Sequence, residues 1–266
     1  MTVITFLTDF GLEDDFVGTC HGVIAQIAPD ARVIDVTHGI GAQAVLTGGL
    51  VLRSTIPYMP VGIHLAVVDP DVGGNRRAVA IATEGGRIFV GPDNGLLMLA
   101  ADELGITAVH EIANERYRLQ NVSKTFHARD IFAPAAAHLA AGVAVEELGP
   151  AIDPETLVRI DVPEPAVGRT QISTTVLVID RFGNVSTNAR REHIDGLGID
   201  EGDRVEIRLS LDRYYALVAQ TFADAPPGEL IVYEDSYGFV SIAMSRGDAA
   251  RLTGVVPGDE VRIART

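Results

Sequence analysis

Val162-Pro163-Glu164-Pro165-Ala166-Val167-Gly168 decides how the rest of the chain is read. Two prolines and a glycine in seven residues stop regular structure, so this stretch reads as a linker. Upstream, Val3–Thr8, Arg32–Val36, Ile63–Val68, Ala78–Thr83 and Arg87–Val90 are short runs rich in Val, Ile and Thr, as buried strands require. Phe16–Ile27, Ala42–Thr55, Leu96–Glu103 and Ile131–Ala141 lie between or after them with the length and Ala/Leu content of helices. Such alternation implies an α/β domain with a mainly parallel sheet and helices on both faces. Downstream, Gln171–Ile179, Arg204–Leu209, Tyr214–Val218, Leu230–Glu234, Phe239–Met244 and Glu260–Ala264 are β-type runs separated by Gly, Asp, Asn and Pro turns. That pattern implies a smaller all-β barrel or sandwich. The expected organisation is residues 1–161, a linker at 162–169, and residues 170–266.

Composition narrows the function. Of 266 residues 47% are hydrophobic and 21% charged, enough for a real core. Thirty-six acidic residues against 21 basic ones give a net charge of −15, which repels phosphate backbones and argues against nucleic-acid binding. With one cysteine, Cys20, neither an internal disulfide nor a cysteine-held zinc is possible. The amino end lacks the basic stretch of a secretory signal, and Ile131–Val145 is too short and too broken to span a bilayer. The expectation is a cytoplasmic protein without a membrane partner.

Acids stand where strands should end. Asp9 closes the first strand, where a ligand's vicinal hydroxyls could serve its carboxylate. Asp14 and Asp15 follow, and they could equally cap the helix Phe16–Ile27. Asp69 follows the Ile63 strand in Asp69-Pro70-Asp71-Val72-Gly73-Gly74-Asn75-Arg76-Arg77, and Asp93-Asn94-Gly95 reads first as a turn. Phe126-His127-Ala128-Arg129-Asp130 precedes an alanine-rich helix. His127 alone would be read as structural; with Asp69 and Arg76 it completes a carboxylate, a guanidinium and an imidazole, the parts needed to hold and polarise a water. Cys20-His21 has no second pair at ligand spacing, so no metal site is expected, and His38, His64, His110, His138 and His193 read as surface or core residues. P-loop, Gly-x-Gly-x-x-Gly and Gly-x-Ser-x-Gly motifs are absent. In the β-rich half, Asp180-Arg181-Phe182-Gly183-Asn184, Thr221-Phe222-Ala223-Asp224 and Asp235-Ser236-Tyr237-Gly238-Phe239 can each be turns, or aromatic plates with adjacent polar groups for a purine.

Leu7-Thr8-Asp9-Phe10-Gly11, Val68-Asp69-Pro70-Asp71-Val72-Gly73, Phe126–Pro134, Phe182-Gly183-Asn184-Val185 and Thr221-Phe222-Ala223-Asp224 occur in this order. Together they resemble the S-adenosyl-L-methionine (SAM) hydroxide adenosyltransferase family, the SAM hydrolases, relatives of fluorinating and chlorinating enzymes. The resemblance implies hydrolysis of SAM to adenosine and L-methionine by attack of water or hydroxide at the ribose C5′. SAM is then the substrate, and no cofactor or metal is expected. It also implies a homotrimer with sites at subunit interfaces. The family's Asp–Arg–His triad falls on Asp69, Arg76 and His127, with Arg77 one register step away as an alternative. Its ribose-binding acid falls on Asp9, with Asp14 in the same loop. The adenine and methionine contacts fall near Asp180, Phe182, Asn184, Phe222, Ser236 and Tyr237.

Asp71 stands where the family usually has glycine, and Ala128 where glycine follows the histidine. Two alternatives remain: a halogenase using chloride or fluoride, and a non-catalytic SAM or adenosine sensor. The halogenating branch carries Tyr at the Asp69 position, Ser at the Ala128 position and an additional loop, for which Thr83-Glu84-Gly85-Gly86-Arg87-Ile88 leaves no room. A carboxylate at position 69 also repels a halide.

Overall fold

The structure, a computed structural model, describes residues 2–209 and 212–266; Met1, which opens the amino-terminal stretch, lies outside them. The chain divides into two compact units, Met1–Ile160 and Asp161–Thr266.

The first unit is α/β. Its strands are β1 (Val3–Thr8), β2 (Arg32–Thr37), β3 (Ile63–Val67), β4 (Ala78–Thr83), β5 (Ile88–Pro92) and β6 (Ile106–Glu111), in the order β2-β1-β3-β5-β4-β6. β2, β1, β3 and β5 pair in parallel, and β4 runs antiparallel to both neighbours. Alternate residues feed two cores, because successive side chains of a strand point to opposite faces. Ile4 and Phe6 of β1 and Leu65 and Val67 of β3 join Val17, Cys20 and Ile24 of α1 (Phe16–Ile27) and the alanines of α4 (Ala133–Ala140). On the other face Leu7, Ala66 and Val68 meet Leu52 of α2 (Val45–Thr55) and Met98, Ala100 and Ala101 of α3 (Met98–Leu104).

Two features of this unit depart from the sequence reading. β6 was not anticipated; its Thr107, His110 and Glu111 interrupt the apolar run, as an edge strand with one neighbour allows. The helix expected from Ile131 starts earlier as a π turn, Ala128–Phe132, which runs directly into α4.

The second unit is a barrel. β8 (Gln171–Ile179), β9 (Val185–Thr187), β10 (Arg204–Leu209), β11 (Asp212–Val218), β12 (Leu230–Glu234), β13 (Val240–Met244) and β14 (Glu260–Arg265) form a ring that the β14–β8 pairing closes. Closure removes the exposed strand edges. Inside the expected linker, Ala166–Val167 forms a two-residue strand, β7, against Ile172 and Ser173. The barrel core draws on inward residues such as Val176, Val205, Ile207, Val232, Ile242 and Ile263. Two five-residue helices, α5 (Arg191–Asp195) and α6 (Ala249–Thr253), complete the unit.

Candidate active site

β1, β3 and β5 run the same way, so the loops carrying Asp9, Asp69 and Asp93 leave the sheet at one edge, where parallel sheets gather ligands. Asp69 lies just past β3 and Arg76 just ahead of β4. Arg76 Nε donates to both Asp69 oxygens at 3.1 and 3.0 Å, and Nη2 donates to Oδ2 at 2.6 Å. The same Nη2 lies 2.7 Å from His127 Nδ1. Only 8% of the Arg76 side chain and 5% of that of Asp69 is exposed, and the guanidinium sits 5.0 Å above the Phe132 ring. The geometry separates the two arginines. Arg77 turns away to Asp93, at 2.7 Å, and to the Thr156 hydroxyl and carbonyl.

A guanidinium can only donate, so His127 Nδ1 must accept and the neutral ring carries its proton on Nε2. Burial lowers the His127 pKa from its ordinary value and the Arg76 charge lowers it further, against Asp69, Asp130 and the Ser123 backbone. At neutral pH the imidazole is therefore uncharged. The segment that presents it is held by Asp130, fully buried, which accepts from the Ser123 amide at 2.7 Å and from Arg129. Burial alone would raise the Asp130 pKa; these hydrogen bonds outweigh it and leave the carboxyl below the usual range.

The loop carrying Asp69 reaches this segment through Gly73. Its φ is +81°, and a Cβ there would stand 2.2 Å from the Lys124 carbonyl oxygen, so only glycine allows the approach.

Asp69 and His127 line a cavity of about 110 Å³ with Asp9, Phe10, Phe16, Val67, Val72, Thr125, Phe126 and Ala128. Phe10, Phe16 and Phe126 form an edge-to-face triangle with centroids 5.1 to 6.0 Å apart. Sequence reasoning gave these rings no role, although the adjacent pairs Asp9-Phe10 and Phe126-His127 were the available signal. Asp9 Oδ2 accepts from the Gln43 amide at 2.8 Å. Asp14 is exposed ahead of α1 and is not on the cavity wall. Asp15 stands at the helix start but caps no amide; it accepts from the Thr19 hydroxyl at 2.9 Å. Asp93-Asn94-Gly95 is structural: Asp93 also accepts from the Val158 amide, and Asn94 donates to the Val68 carbonyl. Cys20 stays a thiol, its pKa raised to about 12 by burial.

In the barrel unit the candidate residues divide into scaffolding and surface. Asp180 Oδ1 accepts from the amides of Phe182 and Asn184, and Oδ2 from the Asn184 side chain at 2.7 Å. Gly183, at φ +79°, lets this turn lie against Asp248. Asp235 similarly accepts from the amides of Tyr237 and Phe239 and from Ser186 and Ser241. The rings these turns carry stay in solvent: Phe182 is 70% exposed, Tyr237 50% and, in its own loop, Phe222 47%. Ser236 is also exposed. Tyr233, which the sequence reading passed over, lies 5.1 Å from Phe222, and burial with nearby Asp235 and Asp180 raises its pKa to about 12.

Comparisons with known proteins bear on the whole chain. The family model for the SAM hydroxide adenosyltransferase N-terminal domain matches residues 4–149, and that for the C-terminal domain matches residues 174–262. The chain belongs to the SAM hydroxide adenosyltransferase family. It is 46% identical to the (R)-S-adenosyl-L-methionine hydrolase of Salinispora tropica, covering 98% of this chain and 97% of that one. Identity to the fluorinase of Actinopolyspora mzabensis is 29%, over 99% of this chain and 97% of the other. A solved structure of an uncharacterized conserved protein from Thermotoga maritima superposes with a TM-score of 0.90 at 39% identity, covering 98% of this chain and all of that one. Among the described residues no helix is long and apolar enough to cross a membrane.

Proposed function

We propose that this member of the family is a SAM hydrolase, converting S-adenosyl-L-methionine and water to adenosine and L-methionine. The observation that carries this reading is the convergence of Asp69, Arg76 and His127, two of them on the wall of a cavity that also holds Asp9. A water oxygen bonds to the ribose C5′ as the C5′–S bond breaks. The C5′–S electron pair leaves with sulfur to give the neutral thioether of methionine, and the surplus water proton passes to the Asp69 carboxylate and on to solvent. A neutral leaving group needs no general acid. The difficulty lies in the nucleophile, since bulk water has a pKa of about 15.7.

The hydrogen bonds support a division of roles among the three side chains. His127 has no free acceptor while Nδ1 is bonded to Arg76. Asp69 has about four acceptor sites, of which Arg76 takes three, so it keeps one for a water proton. His127 stabilises the developing negative charge on oxygen through its Nε2–H, as a preorganised donor does, and the Arg76 charge behind Asp69 and His127 adds to that field. Asp9 suits the ribose hydroxyls. The cavity, about 110 Å³, is too small for the whole substrate, since drug-sized ligands take pockets of ~300 Å³ or more. We assign the rest of the substrate to Phe182, Phe222, Tyr237 and their polar neighbours in another copy of a homotrimer, working in the cytoplasm without a cofactor.

The halogenase alternative is disfavoured by the carboxylate of Asp69 on the cavity wall, and by the tight β4–β5 turn, where Thr83 N donates to the Arg87 carbonyl at 3.0 Å. The test is incubation with SAM in ¹⁸O-labelled water, with and without chloride or fluoride. The label should enter adenosine, with no halogenated nucleoside by mass spectrometry; unlabelled SAM recovered intact would overturn the reading.

A further inference from the structure

We propose that His21, Asp35 and His38 form a binding site for a divalent cation of the zinc type, distinct from the triad. His21 comes from α1, Asp35 from β2 and His38 from the turn after β2. One ligand atom from each lies within 4.8 Å of the others. His21 Nε2 is 2.9 Å and His38 Nε2 3.2 Å from the same oxygen, Asp35 Oδ1. Tetrahedral zinc with bonds of 2.0–2.1 Å holds neighbouring ligand atoms about 3.3 Å apart, which both His–Asp35 spacings already approach.

The independent observation is an orphan. The His38 side chain is 3% exposed, and its Nε2 makes no hydrogen bond among the described residues; Asp35 Oδ1 is near but off the hydrogen-bond line. A buried nitrogen without a partner is unusual in a folded protein. A cation resolves it: Nε2 ligates while Nδ1, 2.8 Å from Thr8 Oγ1, donates its proton there, the outer contact that metal-bound histidines make. His21 and Asp35 remain partly open to solvent, giving the ion a way in and room for water as a further ligand. Imidazole nitrogen with one carboxylate oxygen suits zinc rather than calcium or magnesium.

The site also has a mechanical consequence. Thr8 Oγ1 accepts from the Phe10 amide at 3.2 Å, and the His38 carbonyl accepts from the Gly11 amide at 2.8 Å. A cation that fixes His38 therefore braces the loop carrying Asp9 and Phe10. The experiment titrates Zn²⁺ alone into chelator-treated full-length protein by calorimetry and measures retained zinc after dialysis. One equivalent per chain should bind, with a rise in melting temperature, and His21→Gln and Asp35→Asn should each weaken binding at least tenfold and abolish the rise. Both variants alter partly exposed side chains, and circular dichroism checks their folding. Failure of the unaltered chain to bind one equivalent, or unchanged affinity in both folded variants, overturns the site.

Discussion

Asp69 and Asp180 both stand in loops leaving a strand, and the two units of the molecule use them in opposite ways. Asp69 is nearly buried and its partner is another side chain, Arg76, itself tied to His127. Asp180 is exposed and its partners are the amides of its own turn. In the first unit a polar group is held by other polar groups and stays available for chemistry. In the second, polar groups fix the turn backbone so that Phe182 and Tyr237 project into solvent. The lesson is a division of labour: preorganised charge in one unit, an ordered aromatic surface in the other.

The sharpest way to break this comparison is Asp69→Asn. The amide keeps the shape but loses the charge and the spare acceptor, so adenosine release at saturating SAM should fall by roughly 10³-fold, within the range general-base and electrostatic losses span. SAM affinity, measured by calorimetry, should change little. A variant that loses binding but turns over bound SAM normally would remove Asp69 from the chemistry.

His64 tests the same rule away from the cavity. It is buried between Thr5, whose hydroxyl meets Nδ1 at 2.9 Å, and Arg87, whose Nη1 donates to Nε2 at 3.2 Å. Burial and then the Arg87 charge lower its pKa to about 4 from 6.5. The unfolded chain therefore binds a proton between pH 6.5 and 4 that the folded chain refuses, so stability is lost as pH falls through that window. The loss amounts to about 3 kcal/mol by linkage. Urea unfolding across the window should show a correspondingly flatter profile for His64→Gln; an identical slope would place His64 outside the account.

Gly73 links the two halves of the triad. In Gly73→Ala the new methyl meets the Lys124 carbonyl, and φ +81° is strained for alanine. Displacing the Asp69 loop by about an ångström should lower turnover by tenfold to a hundredfold. Gly85→Ala is the control: its φ is +76°, with nothing within 4 Å of the added Cβ. It should destabilise by about 1 kcal/mol and leave turnover intact. Equal turnover losses in both variants would mean that strain alone, not the loop's approach to residue 124, matters.

These contrasts also mark what sequence could carry. The bounds of α1 and of β1, β8, β10 and β12 follow from apolar pattern and turn residues, because each is a local statement about which face is buried. β6 escaped, since an edge strand tolerates Thr107 and Glu111 and so loses its pattern. The π turn at Ala128–Phe132 has no composition signal, as its residues suit an α-helix equally. Arg76 and Arg77 were indistinguishable as neighbours; extended chain sends successive side chains to opposite sides, and only the register of the loop tells which meets Asp69. The meeting of His21 with Asp35 and His38 depends on α1 packing against β2, which spacing does not encode.

The smallest effect belongs to the barrel, and it sharpens the contrast best. Phe182 is 70% exposed, so removing its ring forfeits little core packing, and Phe182→Ala should shift unfolding free energy by no more than about 0.5 kcal/mol. If the ring stacks on adenine, its loss removes about 1–3 kcal/mol of base stacking, so KM for SAM should rise about tenfold with kcat nearly unchanged. The turn beneath it is fixed by Asp180 and does not depend on the ring. Asp180→Ala gives the complementary measurement: the turn loosens, the ring is no longer held in place, and KM should rise although Phe182 is intact. Steady-state kinetics on both variants separates the alternatives. A fall in kcat for Phe182→Ala would mean that the barrel surface takes part in the chemical step, and the division drawn between the two units would not hold.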